Sequence, residues 1–118
     1  MKFLLIMHMN PRLWDGLTEQ RRQEVMAGHG DFMEAITKSG ELVGTAALAD
    51  PSESAVVSVR GGIPVVTDGP FLETKELFGG YYLVEVENRE RALELAALIP
   101  DAHVDGMGIE VRPVVFAQ

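Results

Sequence analysis

Few side chains in this sequence can carry chemistry. It has three histidines, His8, His29 and His103, and no cysteine, so thiolate zinc sites, iron–sulfur clusters and cysteine nucleophiles are excluded. His29 is the most informative of the three. It shares an apolar helical stripe with Val25, Phe32, Met33 and Ile36, and an imidazole whose tautomer is held by a carboxylate is a general base or acid near neutral pH. The competing reading is a core histidine with both nitrogens satisfied. Gly28 and Gly30 flank it. Each costs a helix up to about 1 kcal/mol relative to alanine, which makes sense where backbone or ligand must come close.

Other candidates carry equally local explanations. Tyr81 and Tyr82 alternate across a strand, so one packs under a helix and the other lines a cavity, where a phenol orients a ligand; Tyr82 is taken as the binding residue. Lys75 can hold an anionic group, or lie with Glu73 and Glu76 in a solvated turn. Arg112 can grip a substrate carboxylate, or pair with Glu110 or Glu85 across the sheet. In Asp68-Gly69-Pro70 the aspartate can bond its own turn, glycine supplies an unusual φ and proline fixes the exit. The alternation of Asp101, His103 and Asp105 resembles strand-borne metal ligands, but Pro100, Gly106 and Gly108 make an exposed loop of it. No metal and no cofactor are expected. The chain has no G-x-S-x-G elbow, Walker loop or G-x-G-x-x-G fingerprint.

The elements that must position these groups are legible. A first helix starts at Thr18 as N-cap with Glu19 in its first turn, and ends at Ser39-Gly40. A second opens at Asn88, turns Ala92, Leu95, Ala96 and Ile99 to one side, and is stopped by Pro100. Strands are expected at 2–9, 42–48, 54–60, 63–67, 81–86 and 109–116. Asn10-Pro11 and Gly79-Gly80 are loop signals, Gly61-Gly62 is a two-residue hairpin signal and Pro64 marks an edge. The order is strand, helix, several strands, helix, strand: two β-α-β units around a central hairpin. It predicts an α+β, ferredoxin-like fold with an antiparallel sheet and two helices on one face.

The 118 residues fit a single domain, 1–118, with 47% apolar and 24% charged residues, the balance of an ordinary globular protein. Ten Lys and Arg against 18 Asp and Glu leave a formal charge of −8, which argues against direct nucleic-acid binding. The opening apolar run stops at His8 with no cleavage site after it, and no stretch approaches the roughly 20 apolar residues of a membrane span. A cytoplasmic location without membrane attachment is expected. Phe3 to Met7 and Tyr81 to Val86 are apolar at nearly every position, whereas a sheet with one wet face alternates. Two helices cover one face only. The other is expected to pack on a second copy, giving a homodimer whose sheets close into a barrel around the ligand hollow.

Val66-Thr67-Asp68-Gly69-Pro70-Phe71, followed by Glu73, Lys75-Glu76 and Gly79-Gly80-Tyr81-Tyr82-Leu83, resembles the DGPF branch of the YCII-related proteins. The resemblance extends to Met1-Lys2-Phe3-Leu4-Leu5, to His29 with Phe32, to Leu42-Val43-Gly44 and Leu48, and to Glu110-Val111-Arg112-Pro113, so it covers nearly the whole chain. It implies a dimeric α/β-barrel and a family whose function is largely unestablished, with members often encoded beside extracytoplasmic-function sigma factors. It also implies a histidine–aspartate acid/base pair. The histidine falls on His29 and the acid on Asp68, with Asp50 in Ala49-Asp50-Pro51 as the alternative. Two functions follow: a small dimeric lyase or isomerase moving a proton on a small polar molecule, with His29 and Asp68 catalytic, or a non-catalytic ligand-binding or regulatory module linked to a sigma factor.

Overall fold

A computed structural model of the chain describes residues 1–69 and 77–118. Lys75 and the Pro70-Phe71 half of the family-like turn lie outside the described residues. The elements in chain order are β1 (Lys2–Met9), α1 (Pro11–Asp15), α2 (Glu19–Lys38), β2 (Leu42–Ala47), a 3₁₀ turn (Pro51–Glu53), β3 (Ala55–Arg60), β4 (Ile63–Asp68), β5 (Leu77–Glu85), α3 (Arg89–Leu98), a 3₁₀ turn (Pro100–His103) and β6 (Ile109–Pro113). Four strands form an antiparallel sheet in the order β2-β5-β1-β6. This is an α+β architecture compatible with a ferredoxin-like fold. β3 and β4 stand apart as a two-stranded sheet.

Local signals set the element ends. Thr18 Oγ1 accepts from the Arg21 N–H at 3.1 Å to start α2, and Gly40, at φ +80°, follows its C-terminus. Asn88 Oδ1 accepts from the Arg91 N–H at 2.9 Å to start α3. The hairpin between β3 and β4 turns through Gly61 and Gly62, both at positive φ (57° and 78°), as a two-residue turn matched to the twist of its strands requires. Three features depart from the expected elements. Asn10-Pro11 opens the short helix α1 rather than a loop, because the Asn10 side chain caps Arg12 and Leu13 and proline suits the first helical position. Gly79-Gly80 lies inside β5: a Cβ at Gly80 would stand 2.8 Å from the Ala46 carbonyl oxygen, and Gly79 falls where the β1–β5 register shifts. At the other end β6 stops at Pro113, leaving Val115 and Phe116 exposed.

The register assigns the two faces of the sheet. Phe3 and Leu5 pair with Val84 and Tyr82, and this set joins Phe32 and Ile36 of α2 with Ala92, Leu95 and Ala96 of α3 in one core. Both helices therefore cover the same face. Leu4, Ile6, Tyr81, Leu83, Glu110 and Arg112 belong to the opposite face. That face is less bare than a count of apolar positions implies. Ile6, flanked by its cross-strand partners Tyr81 and Glu110, is only 1% exposed. The exposed aliphatic surface gathers instead on the hairpin, where Val57, Val59, Ile63 and Val66 are 63% to 66% exposed. Among the described residues, no helix is long and apolar enough to cross a membrane.

Candidate functional site

The site forms where α2 meets the turn that follows α3. Gly28 lies one residue before His29, and a Cβ on it would stand 2.5 Å from Cγ of Pro100, well inside contact distance. Glycine therefore lets the Pro100–His103 turn seat directly on the helix backbone. The next residue in that turn, Asp101, then reaches the next residue in the helix, His29.

His29 Nε2–H donates to Asp101 Oδ1 at 2.7 Å. An ionised carboxylate only accepts, so this bond holds the hydrogen of the neutral ring on Nε2 and leaves Nδ1 as an acceptor. That acceptor takes the Tyr82 O–H at 2.7 Å. The imidazole and phenol rings stack with centroids 5.9 Å apart and planes 17° from parallel, and Phe32 braces Tyr82 edge-on at 4.9 Å. Tyr82 is 3% exposed. Burial, and secondarily the charge of Asp101, push its phenol up to about 12, so it keeps its proton at neutral pH. The three side chains border a cavity of about 410 Å³ between α2 and the helix-covered face of the sheet. The described lining residues of this hollow include members of α1, α2, β1, β2, β5 and the turn after α3.

A second histidine–carboxylate pair sits on the opposite face. His8 Nε2 lies 2.6 Å from Glu110 Oε1, with the two side chains 30% and 34% exposed. Glu110 also accepts from Arg112 through both Nε and Nη2. Hydrogen bonds from His8 first and Arg112 second hold its carboxyl below the usual range.

The anticipated residues are therefore divided. His29 and Tyr82 meet in the cavity. Asp68 does not join them: it is the exposed last residue of β4, paired with Ala55 in the separate hairpin, and the carboxylate bonded to His29 is Asp101. Asp50 is occupied locally, accepting the Ser52 N–H at 2.9 Å, a bond that holds its carboxyl low. Arg112 pairs with Glu110 on the far face, and Lys75 lies outside the described residues. His103 caps α3 by donating to the Ala97 carbonyl at 2.7 Å. Among the described residues no cluster of three or more His, Asp or Glu is placed to hold a metal.

Asp101 is the residue a sequence reading underrates. Asp101 reads as part of an exposed loop, and no spacing links it to a histidine 72 positions away. The flanking glycine was the available signal, since it marks a close approach without naming the partner. Gly30 has nothing within 4 Å of its virtual Cβ, and the structure gives no reason for it.

Comparison with known proteins bears on the identity of this arrangement. An uncharacterized protein of Rhizobium meliloti (strain 1021) is 28% identical over 99 residues, spanning 84% of this chain and 80% of its own length. The YCII-related domain matches residues 1–116. With the match running almost end to end, the chain belongs to the YCII-related family.

Proposed function

We propose that the protein is a small proton-transfer enzyme, of lyase or isomerase type, in which Asp101, His29 and Tyr82 act as one relay. The observation that carries this reading is that both ring nitrogens of His29 are engaged while the phenol bonded to Nδ1 borders the cavity. A substrate proton then reaches the imidazole through Tyr82. As the phenol oxygen takes a proton from the substrate, its own proton passes to His29 Nδ1, and the resulting imidazolium is stabilised by Asp101. Reversal delivers the proton to a second position of the substrate, or to a leaving group. No free phenolate forms, which suits a group whose ionisation is pushed so high. His29 is the base and acid, Asp101 its orienting partner and Tyr82 the group that touches substrate.

The assembly that fits is a homodimer. A two-stranded hairpin alone in water is marginal, and the bare aliphatic surface of β3 and β4 needs cover. A mass of 12.9 kDa in solution at micromolar concentration, that of one chain, would remove this assembly.

The relay is tested by solvent deuterium exchange into a panel of small carbon acids, followed by mass spectrometry. Wild type should accelerate exchange into at least one member. Tyr82→Phe and His29→Gln should both abolish the acceleration while keeping the fold. If acceleration persists in both variants, the relay is refuted. If ligands bind without exchange in wild type, a binding module without turnover replaces it.

A further inference from the structure

We infer that the cavity beside His29 accepts a neutral molecule with a flat apolar body, an aromatic or conjugated ring, which presents one weakly acidic proton to Tyr82. This rests on the proton-transfer reading and extends it to a substrate class. The walls carry the inference. Of the six methionines in the chain, five border this one cavity: Met7, Met9, Met26, Met33 and Met107, together with the only tryptophan, Trp14. They come from β1, α1, α2 and the segment before β6, so separate elements converge on one composition. Thioethers on unbranched stems adapt to irregular shapes and make favourable contacts with aromatic ring edges, and an indole adds a flat face. A volume of about 410 Å³ lies in the range of small-molecule sites.

Two further observations point the same way. Met26 and Met33, on α2 at the cavity, are 64% and 37% exposed, thioethers in water that an apolar ligand would cover. The backbone at Trp14 is tied down, because Arg22 donates to the carbonyls of Leu17 at 2.8 Å and Trp14 at 3.3 Å and so fastens α1 to α2. Electrostatics decide against anionic ligands. Among the described residues that border the cavity there is no Lys or Arg, and Asp101 is the acidic one. A carboxylate or phosphate entering here would lose hydration beside a negative charge, with no Lys or Arg among the described lining residues to compensate. The walls thus favour a different class from the small polar molecule expected from sequence.

The test uses the full chain and the emission of Trp14, which is the protein's whole tryptophan signal. Two bicyclic probes of similar size differ in charge: 2-tetralone, neutral with an enolisable ketone, and 2-naphthoate, a fully aromatic anion. The expected result at neutral pH is saturable perturbation of Trp14 by 2-tetralone at a Kd at least tenfold lower than for 2-naphthoate. His8→Gln, on the opposite face of the sheet, should retain that preference, because it leaves the cavity walls intact. Met33→Lys, which puts a cation at an exposed position of the cavity, should erase it. Binding of 2-naphthoate as tightly as 2-tetralone in wild type, or no perturbation of Trp14 by either probe, overturns the inference. Deuterium exchange at the tetralone α-carbon separates the two claims. Selective binding without exchange upholds the ligand class and removes the proton-transfer reading, whereas exchange without the charge preference does the reverse.

Discussion

Two histidine–carboxylate pairs, similar in length and opposite in setting, sit on the two faces of one sheet. His29–Asp101 at 2.7 Å is roofed by α2 and the Pro100 turn, continues into a buried phenol and opens on an apolar cavity. His8–Glu110 at 2.6 Å is about a third exposed, and its carboxylate is shared with Arg112. The bond lengths do not distinguish them; what surrounds each pair does. A neighbouring arginine competes for Glu110 and water screens the pair, so the outer pair resembles a surface ion pair. Around the inner pair low polarity strengthens each interaction.

The largest effect expected from this contrast is on turnover. Tyr82→Phe, His29→Gln and Asp101→Ala should each lower proton exchange by about a hundredfold or more, while His8→Gln and Glu110→Gln leave it within about twofold. Equal losses at the two pairs would break the comparison. Gly28→Ala sharpens it. The added methyl must push the Pro100 ring away and carry Asp101 off His29, so exchange should fall by roughly ten- to a hundredfold with all three side chains of the relay still present. An unchanged rate would show that the close approach of turn and helix is not needed.

Smaller effects lie in stability. Asp101→Ala should cost about 1–3 kcal/mol in denaturant melts, the range for losing a charge-assisted bond with little water to replace it, whereas Glu110→Ala should leave the midpoint nearly unmoved. The pH dependence divides in sign as well as size. The Tyr82 phenol is raised to about 12 from an ordinary 10.0. The unfolded chain therefore loses this proton first, so its contribution is full below pH 10 and lost as pH rises from 10 towards 12. Tyr82→Phe should flatten that alkaline slope. Glu110 is lowered, so its contribution is present above the ordinary carboxylate range and lost as pH falls through the folded value. Being exposed, that acid slope should be the weakest effect and should fade with added salt.

Much of the frame was legible in the residues themselves. Thr18 and Asn88 announce helix starts, Gly40 and Pro100 announce ends, and Gly61-Gly62 announces a turn, because each acts through backbone geometry within a few residues of itself. Alternation along β1 and β5 separates Tyr81 from Tyr82 for the same reason. What stayed hidden depended on several chain segments arriving together. Asn10-Pro11 reads as a loop until the structure shows a helix following it. Gly79-Gly80 reads as punctuation until β2 comes so close that a Cβ at Gly80 would stand 2.8 Å from the Ala46 carbonyl oxygen.

The candidate site divides along that line. The sequence by itself determined that His29 lies on the inward stripe of a long helix, that a glycine beside it permits close approach, and that Tyr82 takes the face opposite to Tyr81, since periodicity alone sorts side chains to faces. Only the tertiary structure decided that Asp101 rather than Asp68 meets His29, that Tyr82 closes the second ring nitrogen, and that the hollow lies under α2. Those pairings span 72 and 53 residues, and they are selected by how a turn, a helix and a sheet pack together, a property no local pattern encodes.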